Sequence, residues 1–163
     1  MTSNASSRDS LAKHLAGATL VHVDARVLAR HLTATGPVAQ TDIVLAGIRE
    51  GHINAQTSAL SLYQILVEMY RQGEAARARD IARTLRLYGR LTLVPAGADV
   101  AVQAAEVRAR LGGRPERALQ IATALVSGAE IYLTIGSSLR RIAGMQVLNV
   151  EDYVPGGAGT ATE

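Results

Sequence analysis

The chain has 163 residues, a net charge of +3 and no cysteine, which excludes disulfides and thiolate metal sites. Its length fits one domain with a full-sized core, and without Phe or Trp that core must be built from Leu, Val, Ile and Ala. No apolar run approaches a membrane span, and the opening MTSNASSRDS lacks the apolar stretch of a signal peptide, so a cytoplasmic protein with no membrane partner is expected.

Residues 1–17 are polar, then weakly amphipathic around Leu11 and Leu15, which predicts an N-terminal arm or short helix. A β-branched run at 19–24 predicts a first strand that ends on Asp24. Helices are predicted at 25–33 and 40–50, followed by a second strand at 53–57. Two further helices, 59–72 and 75–88, are separated by Gly73. A third strand at 91–94, a helix at 98–111, the pair Gly112-Gly113 and a helix at 115–127 come next. Strands at 130–134 and 146–150 complete the pattern, and the tail 154–163 has a disorder-prone composition.

Repeated strand–helix–strand units imply an α/β fold, a three-layer α-β-α sandwich with a mainly parallel sheet of about five strands over residues 18–153. In such sheets the functional crevice lies beyond the carboxyl ends of the strands. Asp24, Thr57, Ser58, Thr134, Ile135 and Gly136 should therefore converge.

Four segments carry a resemblance. They are Val23-Asp24-Ala25-Arg26-Val27-Leu28, Ser61-Leu62-Tyr63-Gln64-Ile65, Arg117-Ala118-Leu119-Gln120-Ile121-Ala122-Thr123-Ala124 and Thr134-Ile135-Gly136. In order and spacing, the chain over 19–150 resembles a PIN domain, the nuclease fold of many bacterial toxin–antitoxin toxins. The resemblance implies about four carboxylates that hold Mg²⁺ or Mn²⁺ for RNA hydrolysis. Here Asp24 is retained, whereas Gln64, Arg117 and Gly136 stand at the other acid positions. Glu68, one helical turn after Gln64, and Glu116, beside Arg117, are the substitutes available. Taken alone, Asp24 either binds a metal or polar ligand or caps the following helix.

Arg26 and Arg117 would stand near the metal position. Two unit charges 4 Å apart repel by about 4 kcal/mol at an effective dielectric near 20. The expectation is therefore a PIN-like domain that has lost metal-dependent nuclease activity, needs no cofactor, and serves as a binding or regulatory module for RNA or a small antitoxin-like protein. The alternative is an active Mg²⁺- or Mn²⁺-dependent ribonuclease toxin using Asp24, Glu68 and Glu116.

Other constellations are weaker. His14, His22, His31 and His52 show no zinc-ligand spacing, and read as satisfied or surface histidines. Arg79, Arg83, Arg86 and Arg90 would share one helix face if the helix reached Arg90, and with Arg26, Arg117, Arg140 and Arg141 form the candidate nucleic-acid contacts. A solvated face is an equal reading of the same stripe. Leu62, Tyr63, Leu66, Met69 and Tyr70 form an apolar stripe that serves either a homodimer or the core.

Overall fold

Five short strands pair side by side in the computed structural model, which describes residues 3–34 and 39–153. They are β1 (Val21–Val23), β2 (Ala55–Ser58), β3 (Leu91–Val94), β4 (Ile131–Thr134) and β5 (Gln146–Asn149). All pairings are parallel, in the order β3-β2-β1-β4-β5. The helices among the described residues are α1 (Ser3–Ala16), α2 (Ala25–Thr33), α3 (Ala39–Glu50), α4 (Leu60–Arg71), α5 (Ala75–Leu87), α6 (Ala98–Leu111) and α7 (Pro115–Val126), and a short 3-10 turn spans Val150–Tyr153. None of them is long and apolar enough to cross a membrane.

Every residue of β1, β2 and β4 is buried, so these strands show no polar–apolar alternation. Continuous burial is what a parallel sheet with helices on both faces requires. Side chains still alternate between the faces. Val21, Val23, Ile131 and Leu133 join one core with residues of α1 to α5. Tyr132 joins the other, against Ala104 and Val107 of α6 and Ile121 of α7. The sheet order reverses between β1 and β4, and a crevice is expected above that junction.

Two expectations are resolved by the structure. Of the arm or short helix expected near the N-terminus, the described residues form the helix, and Leu11 and Leu15 of α1 are completely buried in the larger core. The sequence pattern is weak because Leu11 and Leu15, one turn apart, are the buried large apolar residues of this helix among those described. The second concerns Arg90. Helix α5 stops at Leu87, and Arg90 takes a left-handed φ of 72° after Gly89, so it leaves the face shared by Arg79, Arg83 and Arg86. The tail 154–163 lies outside the described residues.

Candidate functional site

Asp24 sits where β1 gives way to α2, with extended backbone angles (φ −63°, ψ 145°) that make it the N-cap of that helix. Its Oδ1 accepts from the Arg26 backbone N–H at 3.3 Å, satisfying one of the amides left free at a helix start. Its Oδ2 accepts from the Thr134 hydroxyl, on the neighbouring β4, at 2.8 Å. The carboxylate is nearly buried, so these partners matter energetically. The Tyr132 phenol is pushed well above its usual range, first by burial, then by the charge of Asp24 and a hydrogen bond to it. Replacing Thr134 with Val removes the hydroxyl that donates to Oδ2 of Asp24. It is expected to cost about 1–3 kcal/mol in urea unfolding, with Thr134→Ser close to wild type.

Asp24 forms the floor of a cavity of about 610 Å³. Tyr63, Gln64, Val67, Glu68 and Arg71 line it from α4. Glu116, Arg117 and Gln120 line it from α7, with Gly113 and Arg114 from the turn before that helix. Gly112 and Gly113 both have positive φ, 65° and 84°, which is what allows the chain to reverse between α6 and α7 and bring Arg114 to the rim. Three of the four positions singled out by the sequence, Asp24, Gln64 and Arg117, thus meet in one cavity, together with Glu68 and Glu116. Gly136 lies beside it, lining a second cleft of about 650 Å³ with Ile135 and Glu151. Arg26 borders both and donates from Nη1 to the Gly136 carbonyl at 3.2 Å.

Four arginines, Arg26, Arg71, Arg114 and Arg117, line this space together with Asp24, Glu68 and Glu116. Among the described residues no group of three or more His, Asp or Glu side chains is placed to hold a metal ion. Glu68 accepts from the Gln72 amide at 2.8 Å on the exposed side of α4. Arg26 reaches Asp24 through its backbone N–H and sends its guanidinium to the Gly136 carbonyl.

The remaining basic candidates stand elsewhere. Arg79, Arg83, Arg86 and Arg90 line no part of the cavity, and Arg83 is paired with Asp80 at 2.9 Å. Arg140 pairs with Asp152 at 3.5 Å, and neither it nor Arg141 borders the crevice. The α4 stripe divides. Met69 is buried and Leu62 and Leu66 pack against the core, whereas Tyr63 and Tyr70 point outward, 59% and 53% exposed.

Sequence reasoning assigned no site role to Tyr132, Arg114 or Gln120. Gln120 did carry a signal, as a large polar side chain in a mostly apolar run, one turn from Arg117. It is 1% exposed and joins His22, Ser61 and Gln64 beneath the cavity floor. His22 is fully buried and stacked on Tyr132, with ring centroids 5.3 Å apart. Burial lowers its pKa to about 4, against smaller opposing effects of Gln120 and Asp24, so the ring is neutral at pH 7.

The structure resembles several solved toxin–antitoxin proteins. One is VapBC2 from Rickettsia felis bound to a DNA fragment from its promoter, with a TM-score of 0.65 and 12% identity over 80% of this chain and 98% of that one. DNA-bound VapBC from Salmonella typhimurium gives a TM-score of 0.60 and 14% identity, over 80% and 97% of the two chains. Mycobacterium tuberculosis VapC20, a Sarcin-Ricin loop cleaving toxin, gives 0.54 and 18% identity, over 69% and 86%. At these identities the likeness concerns the fold. No curated protein sequence matches the chain significantly. The PIN domain family model does match, over residues 21–145, a span that runs from β1 to the residue before β5 and encloses Asp24, α4, α7 and the cavity between them. With most of its length and its whole crevice inside that match, the chain belongs to the PIN domain family.

Proposed function

We propose that this PIN domain is the toxin-type partner of a toxin–antitoxin pair that has lost metal-dependent hydrolysis, and that its crevice binds phosphodiesters of RNA or an antitoxin-like protein. The observation that carries the reading is the state of Asp24. Both of its oxygens already accept hydrogen bonds, and it is the only carboxylate retained at the family's acid positions. A hard divalent cation needs several oxygen ligands whose charge offsets its dehydration. The donor set here does not fit one, since guanidinium groups rim the same space and Gln64 brings no charge.

The composition of the rim supports an anionic ligand. Arg71, Arg114 and Arg117 have no ion-pair or hydrogen-bond partner for their side chains among the described residues. Guanidinium groups left unpaired around a concave site suit phosphate. Tyr63, exposed at the edge, offers a face for base stacking. The antitoxin-like partner is supported by the solved relatives, two of which are VapBC assemblies. A homodimer through the outward Tyr70 of α4 is part of the same reading.

A second reading, the working ribonuclease, is favoured by one fact: Asp24, Glu68 and Glu116 line a single cavity. One experiment separates the two. Isothermal titration with Mn²⁺ should show no tight binding, and labelled single-stranded RNA should be bound but left uncut. Binding should weaken steeply with salt, and Arg117→Gln should flatten that slope. Cleavage abolished both by EDTA and by Asp24→Asn would overturn the proposal and establish the enzyme.

A further inference from the structure

We infer that the crevice meets its ligand with the amide N–H₂ of Gln64, turned outward by a one-way chain of hydrogen bonds under the floor, and therefore takes an acceptor such as a non-bridging phosphate oxygen. This rests on the RNA-binding reading and specifies the group that makes the contact.

The direction of the chain follows from which atoms can only accept. The Thr57 hydroxyl lies 2.7 Å from the Val23 carbonyl, so its single proton is committed there. Ser61 Oγ lies 2.7 Å from Thr57 Oγ1 and must supply the proton of that contact. Ser61 then has only lone pairs left for Gln120, which must present Nε2 to it, at 2.9 Å. The same Nε2 lies 2.7 Å from Gln64, so the Gln64 atom facing it is Oε1. With its oxygen engaged, Gln64 keeps an N–H₂ that has no partner among the described residues, on a side chain that lines the cavity.

The far end of the chain gives the same direction independently. Gln120 Oε1 faces His22 Nε2 at 3.1 Å, which makes that nitrogen the protonated one. His22 Nδ1 is then a buried acceptor without a partner. The opposite tautomer would bury an orphan N–H, the rarer defect in folded proteins, and would turn the whole chain round. Four elements, β1, β2, α4 and α7, thus hold one amide in one orientation.

The consequence is a reversal of what the position offers. A glutamate there would accept from Gln120 equally well and turn a second carboxylate oxygen to the cavity. The glutamine turns a donor to the cavity instead. Arg71, Arg114 and Arg117 beside it also carry only donors. Gln120 is a positioning residue in this scheme, and Gln64 is the group that touches the ligand.

The test uses the full chain in EDTA, with a short single-stranded oligoribonucleotide as probe, and follows the Gln64 side-chain amide by ¹⁵N–¹H spectroscopy. Its resonance is identified by its loss in Gln64→Met. In the wild type that resonance should shift on titration, and Gln64→Met should weaken binding about tenfold. Gln120→Glu replaces the donor with an acceptor, so Gln64 should turn its N–H₂ inward. Binding should then weaken by a similar factor while the amide resonance no longer responds. Gln64 is only half-buried, so its variant stands whether or not Gln120→Glu folds. A wild type that binds with an unmoved Gln64 resonance and an unchanged Gln64→Met affinity overturns this inference alone. A wild type that does not bind the probe overturns the RNA reading and this inference with it.

Discussion

Lowering the pH from 7 to 5 is expected to remove about 2 kcal/mol of folding stability through His22 alone. Its folded pKa is depressed to about 4 from the ordinary 6.5 because burial penalises the charged ring. The unfolded chain therefore binds a proton at His22 as the pH falls through 6.5, and the folded chain does not until about 4. Stability is full above the unfolded pKa and falls by about 1.4 kcal/mol per pH unit across that window. Gln120 bonds the ring, Asp24 attracts its charged form and Tyr132 stacks on it, and none of them offsets desolvation. Urea unfolding at pH 7, 6 and 5 measures the slope. His22→Gln, which keeps a donor for Gln120, should flatten it between pH 7 and 5, where few carboxylates titrate. An unchanged slope in that variant would show that His22 is charged or exposed in the folded state.

Truncating α1 should have the largest effect on stability. Leu11→Ala and Leu15→Ala each remove a fully buried side chain from the larger core, at an expected cost of about 2–5 kcal/mol. Together they approach the whole stability of an ordinary domain. The helix packs on α3 and on the 3-10 turn Val150–Tyr153, so its loss would open the edge of the core. Lys13→Ala, on the exposed side of the same helix, should stay within about 0.5 kcal/mol of wild type. Thermal unfolding of the three variants reads the contrast directly. Equal and small effects would restore the picture of residues 1–17 as a dispensable arm.

Much of the scaffold was legible because its punctuation is local. Asp24 caps α2, Gly73 separates α4 from α5, and Gly112-Gly113 followed by Pro115 divides α6 from α7. Each rests on a backbone preference that one or two residues carry by themselves. The short β-branched runs between helices were enough to indicate a parallel sheet, and the sheet in turn predicted where Asp24 and Thr134 would meet. The resemblance in α4 and α7 identified Gln64 and Arg117 as neighbours of Asp24, and both line its cavity.

What the sequence by itself determined is therefore the order of strands and helices, the acid that closes the first strand and the crevice end of the sheet. Tertiary structure alone decided three matters. It decided that α1 belongs to the core, because two leucines one turn apart bury fully only when a partner surface exists for them. The turn at Gly89 removed Arg90 from its stripe, and the path of the chain brought Arg71 and Arg114 to the crevice while leaving Arg79, Arg83 and Arg86 outside it. Finally, it decided the polarity of Gln64. An amide has a donor and an acceptor end, and no local pattern says which faces out. Here that choice depends on protons held by Thr57, Ser61, Gln120 and His22, residues as far as 98 positions apart along the chain.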